Sequence, residues 1–218
     1  MRNGRKTAAL LAAVLLLLSG CGSGRCGELR LQGIDQLERG KYQEAVESFE
    51  QAMRAGKGRI SKEQFDILKY RTEAEYMLGD YEAAGKTLDI LTKADGEREE
   101  YQTLRERIAA KLLVRDAGTA LNENRISDAR RLMDEAAAAG MQEDRDLAFD
   151  EIVYLEKTAQ WQAAYDAMQA FTEQYPSDSD TEREKRFLET RIAEWRENPF
   201  RDESAAETQA MGEISDSR

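Results

Sequence analysis

Four times along this chain a turn residue is followed, two positions on, by a large apolar side chain and, three further, by alanine. The first copy reads Gly40-Lys-Tyr42-Gln-Glu-Ala45-Val-Glu-Ser-Phe49-Glu-Gln-Ala52. The second is Gly79-Asp-Tyr81-Glu-Ala-Ala84-Gly-Lys-Thr-Leu88-Asp-Ile-Leu91. The third is Asn124-Arg-Ile126-Ser-Asp-Ala129-Arg-Arg-Leu-Met133-Asp-Glu-Ala136, and the fourth Ala159-Gln-Trp161-Gln-Ala-Ala164-Tyr-Asp-Ala-Met168-Gln-Ala-Phe171. The four alanines are 39, 45 and 35 residues apart. A strand, whose side chains alternate with period two, cannot use this spacing; two helices joined by a tight turn can.

Each column has a physical reason. The first residue ends a helix in a left-handed conformation, which glycine adopts freely and asparagine tolerates. The large residue two later plugs the base of the hairpin. The alanine sits where two helices cross, because axes approach to about 8 Å only past a small side chain. Apolar residues four and seven beyond it continue the buried stripe.

From Leu29 to Trp195 the rest of the chain agrees with this. No proline occurs before Pro176, helix-forming residues dominate, and apolar positions recur at spacings of three and four. Breaks are expected near Gly40, Ala55 to Gly58, Gly79-Asp80, Asp95-Gly96, Asn122 to Asn124, Gly140 and Tyr175-Pro176. Ser61 with Gln64, and Thr181 with Glu184, read as capping boxes that open helices.

The pattern resembles the tetratricopeptide repeat. Gly33, seven residues before Gly40, matches the small residue of that family's first helix, and Pro176, twelve after Ala164, its closing proline. Two repeats exceed the usual period of about 34 residues. The family's first-helix tryptophan is Leu29, Leu68, Leu113 and Ala148 here, and Ala159 is a poor left-handed residue. The resemblance implies an all-α fold, a right-handed solenoid of about four hairpins over residues 29–197. Thr181 to Trp195, with Phe187, Leu188, Ile192 and Trp195 on one stripe, would be its capping helix.

In that family the concave face, lined by the first helix of each hairpin, holds a protein or peptide partner. Resemblance and helical phase place Arg30, Lys69, Glu73, Tyr76, Lys111, Asn122, Val153 and Lys157 on it. Lys69, Lys111 and Lys157 would bring positive charge into an acidic protein, suited to steering an acidic peptide or a C-terminal carboxylate.

Residues 1–20 read as an address. Arg2, Arg5 and Lys6 precede an apolar run from Ala8 to Leu18, too short for a bilayer span of about 20 residues but right for the core of a signal peptide. Leu18-Ser19-Gly20-Cys21 resembles the lipobox of bacterial lipoproteins. That resemblance implies a diacylglyceryl thioether on Cys21, usually with a third acyl chain such as palmitate, and attachment to the extracytoplasmic face of the cell membrane. Residues 21–28, glycine-rich, read as a flexible tether. Cys26 within it is left without a partner; an inert thiol and an intermolecular disulfide both fit. Residues 198–218, acidic and poor in large apolar side chains, read as a disordered tail.

Little catalytic chemistry is left. The chain has no histidine and two cysteines, so Ser-His-Asp, Cys-His and imidazole–zinc sites are excluded. A net charge of −11 argues against a phosphate-binding surface and so against nucleic acid. Phosphate-loop, dinucleotide and nucleophile-elbow motifs are missing. Asp178-Ser-Asp180-Thr-Glu182 lacks the glycine and distant glutamate of a calcium loop. Glu97 to Glu100 reads as a helix start favoured by the dipole. No catalytic residue, metal, small-molecule substrate or cofactor is expected beyond the lipid. The expected role is a non-enzymatic, membrane-anchored scaffold that binds a protein through its groove. The alternative is a structural subunit or assembly factor of a cell-envelope machine, of barrel-assembly or pilus type, using its outer faces. Replacing Cys21 with serine is expected to move the protein from the membrane to soluble or precursor fractions; unchanged fractionation would refute the lipobox.

Overall fold

In the computed structural model, residues 21–57, 61–176 and 181–197 are described. They form α1 (Cys21–Glu38), α2 (Tyr42–Ala55), α3 (Lys62–Leu78), α4 (Tyr81–Asp95), α5 (Glu99–Asn122), α6 (Ile126–Ala136), α7 (Arg145–Lys157), α8 (Trp161–Gln174) and α9 (Thr181–Glu197). No strand occurs among the described residues. The fold is all-α and built of antiparallel helical hairpins. It divides into two compact units, one ending at Ala109 and the other starting at Ala110, so the boundary falls within α5. The expected leader (1–20), the expected tail (198–218) and most of the weighed calcium motif lie outside the described residues.

The repeat holds down to single hydrogen bonds. Gly40, Gly79, Asn124 and Ala159 all have positive φ, at 73°, 84°, 60° and 55°. At each, the amide of the turn residue donates to the carbonyl three back: Leu37, Tyr76, Leu121 and Glu156. The next amide donates to the carbonyl five back: Gln36, Glu75, Ala120 and Leu155, at 2.8–3.0 Å. This is the Schellman arrangement, which satisfies the last free carbonyls and turns the chain into the second helix. Ala159 takes the same conformation without glycine's freedom, at a cost of roughly 1 kcal/mol.

In the first unit, α1 and α2 form one hairpin, α3 and α4 the next, and the start of α5 follows. Ala45 and Ala84 are fully buried, as are Phe49 and Leu88 four residues later and Ala52 and Leu91 seven later. A Cβ added at Gly33 would lie 2.6 Å from the Phe49 ring, so α1 crosses α2 with no room for a methyl group. Tyr70 stacks on Phe49 with centroids 6.2 Å apart. Ser61 caps α3, its hydroxyl accepting from the Gln64 amide at 3.3 Å, as the box pattern predicts.

The flexible tether is corrected. α1 already includes Gly24 to Gly27, and Cys26 is 2% exposed, packed with Ala45, Phe49 and Ile67. The Gln64 side-chain amide donates to its sulfur at 3.4 Å. Burial, with the charge of Glu63, pushes the thiol pKa up. A buried, protonated thiol forms no intermolecular disulfide in the folded protein, which removes that option. The glycine content suggested a tether, but the apolar Cys26 lies one helical turn before Leu29 and extends its stripe.

In the second unit, the end of α5 packs with α6 and α7 through Val114, Ala117, Met133, Ala136 and Leu147. Ile152, Ala164, Met168, Phe171 and Leu188 join α7, α8 and α9 in a second cluster; of the expected capping stripe Leu188 and Ile192 are buried, Trp195 is half-buried and Phe187 is 41% exposed. α6 runs on into Ala137–Met141, where Gly140 breaks the helix with φ 92°. α9 begins at Thr181, and Glu184 directs its carboxyl at Glu156 of α7. Enlarging either buried alanine, as Ala45→Leu or Ala84→Leu, is expected to overpack the crossing by roughly 1–3 kcal/mol. Urea denaturation reads this as a lower midpoint; an unchanged midpoint for both would mean that other residues form the crossings.

Candidate functional site

A face of α3 gathers half of the sequence-predicted residues in the first unit. Positions 66, 69, 70, 73 and 76 recur at three and four residues, so they share one side of the helix. Arg30 of α1 pairs with Asp66, its Nε 2.6 Å from Oδ2, and lies 6.0 Å from the Tyr70 ring centre. Lys69 pairs with Glu100 at the start of α5. Arg107 of α5 sits over Tyr76 at 4.9 Å, and Tyr76 also packs on Tyr81 at 5.5 Å. First helices on both flanks therefore fix the side chains of α3. Glu73 lies between the Lys69 and Tyr76 contacts, exposed and with no ion pair or hydrogen bond to the described residues.

At one end this face opens into a cleft of about 470 Å³ lined by residues including Phe65, Asp66, Lys69, Glu100 and Tyr101. Asp95 anchors its wall, accepting from the Tyr101 hydroxyl at 2.6 Å and from Arg98 at 2.7 Å. The Arg98 and Tyr101 hydrogen bonds hold the Asp95 carboxyl below its ordinary range. Burial, then the bond to Asp95, pushes the Tyr101 phenol up to about 12. The ring is a fixed donor here.

In the second unit the expected residues separate. Lys111 pairs with Asp144, whose other oxygen caps α7 by accepting from the amides of Asp146 and Leu147 at 3.1 and 3.3 Å. Lys157 reaches the side-chain oxygen of Asn124 at 3.5 Å. Asn122 is exposed with no side-chain hydrogen bond to the described residues. Val153 packs against Ala120, Leu121 and Ala129 and is partly buried, so it belongs to the helix junction rather than to an open face. The expectation of free positive charge is corrected: Lys69 and Lys111 each neutralise a carboxylate of the next hairpin's first helix or its cap, and Lys157 is engaged by an amide. An acidic protein that places lysines at helix junctions supplies them with internal carboxylates before any ligand arrives.

Sequence reasoning missed two acids on α7. Asp150 faces α5: a Cβ at Gly118 would lie 3.2 Å from its carboxyl oxygens. Burial, then the charges of Asp146 and Asp144, raises its pKa to about 7, against a small opposing effect of Arg145. Glu156 faces α9 and is raised to about 8 by burial and by Glu184. Nothing in a chain with 43 acids marks these two, because their shift comes first from burial against helices remote in sequence. Among the described residues no group of three or more potential ligands is placed to hold a metal ion, and no helix is long and apolar enough to cross a membrane.

An Asp150 raised above its ordinary unfolded value of about 3.9 favours the folded state fully only below that value. That contribution is lost as pH rises through about 7. Asp150→Asn is therefore expected to raise the denaturation midpoint of the protein at pH 8 and to change it little at pH 4. Equal shifts at both pH values would show that the carboxyl is ionised throughout.

Comparison with known families supplies a further finding. A family model described as tetratricopeptide repeat matches residues 36–108, from the end of α1 into α5. Neither the curated proteins nor the solved structures yield a match. Tetratricopeptide repeats generally mediate protein–protein interactions, and proteins built from them are typically non-enzymatic. The match covers the segment that carries the α3 face.

Proposed function

We propose that this protein is a non-enzymatic binding module that holds a protein or peptide segment against the α3 face of its first unit. The observation that carries this reading is the set of first-helix contacts around an exposed Glu73. Arg30, Asp66, Lys69, Glu100, Tyr76 and Arg107 are held by one another, so a ligand meets a surface whose side chains are already ordered. Preorganisation lowers the entropy cost of association. The cleft beside Tyr101 gives a concave end where a partner side chain is enclosed. The partner it suits has a basic residue for Glu73 and an apolar or aromatic one for the cleft. This departs from the acidic ligand expected from the lysines, because those lysines are paired.

The address at the amino terminus supports attachment by a lipid on Cys21 to the extracytoplasmic face of a membrane. Cys26, five residues on, is already in the core. Such an anchor would hold the first unit close against the headgroups rather than at the end of a long leash.

A photo-crosslinking residue at position 73 in the intact protein, in gently solubilised membranes, is expected to capture one dominant protein. Glu73→Lys is expected to weaken that complex about tenfold, the equivalent of about 1.4 kcal/mol, without lowering the melting temperature. Full affinity in Glu73→Lys would refute the α3 face as the binding surface.

A further inference from the structure

We infer that Glu156 and Glu184 form a proton-sharing latch that fastens the terminal helix α9 to α7. Glu156 lies near the carboxyl end of α7, where its Oε1 is buried with no hydrogen-bond partner. Glu184, one turn into α9, brings its carboxyl against the carboxyl of Glu156. Two carboxylates cannot bond to each other; one must carry a proton and donate it. A protonated Glu156 donating to the Glu184 carboxylate turns a repulsive contact into a charge-assisted hydrogen bond.

The surroundings favour the protonated state. Ile152 of α7, Leu188 of α9 and Ala164, Met168 and Phe171 of α8 share one apolar cluster, so the contact is set beside an apolar core. The charged groups that act on Glu156 are Glu184 from α9 and Lys157 on α7. Lys157 turns its amine toward Asn124 at 3.5 Å and only partly offsets the effect of Glu184. Burial and Glu184 together raise Glu156 to about 8, so the pair keeps its proton at neutral pH and loses it in mild alkali.

The sign follows from proton counting. Undocking α9 exposes both carboxyls, which then ionise near their ordinary values, so the docked state binds one more proton than the open state across the neutral range. Opening of α9 therefore grows with pH by up to about tenfold per unit and levels off once the docked pair has itself lost the proton. Asp150 titrates on α7 as well, but against Gly118 of α5 rather than against α9.

Hydrogen exchange of peptides covering Thr181–Glu197 in the full chain, corrected for intrinsic rates between pH 5.5 and 9, tests this. Wild-type protection is expected to fall about tenfold per pH unit toward a plateau above about pH 8. In Glu156→Gln, where the buried group can no longer ionise, protection of α9 is expected to be independent of pH; Glu184→Gln, which leaves Glu156 buried, is expected to show a shallower slope, and Asp150→Asn is expected to keep the wild-type slope. The same pH dependence in both Gln variants, or a flat wild-type profile, would overturn the latch. So would restoration of wild-type protection at pH 9 by millimolar calcium, which would make the pair a cation site. If either Gln variant fails to fold, the other carries the test.

Discussion

When a helix ends on a left-handed residue, the amides of that residue and the next take the last two free carbonyls, and the chain leaves in a fixed direction. That geometry recurs at residues 40, 79, 124 and 159, with the same donor and acceptor offsets each time. It determines which face of the following helix meets the one before, and so why Ala45, Ala84, Ala129 and Ala164 are all fully buried. Everything functional here is a consequence of that placement. First helices become neighbours only because each second helix folds back at the same angle, and the α3 face exists only where α1 and the start of α5 flank it.

The turn and the crossing alanine were legible because both are local requirements: a positive φ and a missing side chain each leave a mark on a single residue. The long interval between Ala84 and Ala129 also has a local cause, since α5 runs for 24 residues. Partner choice was not legible. Lys69 and Glu100 are 31 residues apart, Arg30 and Asp66 are 36 apart, and Lys111 and Asp144 are 33 apart. Any of many acids in this chain would have looked equally suitable. The glycines ahead of Leu29 misled for a related reason: composition reports backbone freedom, whereas Cys26 is ordered by what packs on it from α2 and α3.

Charge shapes the two units in different ways. In the first, oppositely charged side chains meet across first helices and leave Glu73 exposed between them. In the second, carboxyls face helix junctions, at Gly118 and at Glu184, where burial rather than a cation decides their state. An acidic surface is then no guide to which carboxylates are ionised. The ones set between helices behave as weak acids poised near neutrality.

Gly33 shows how an unremarked position comes to be held by its neighbour. The ring of Phe49 occupies the space where a Cβ would stand, and Phe49 is itself fully enclosed and stacked on Tyr70. Residue 33 has no side chain, yet each of the other nineteen amino acids would force the first two helices apart at their crossing. Among diverging copies of such a chain, the residue with nothing to contribute would be among the slowest to change, and the aromatic sixteen positions later would change only in step with it.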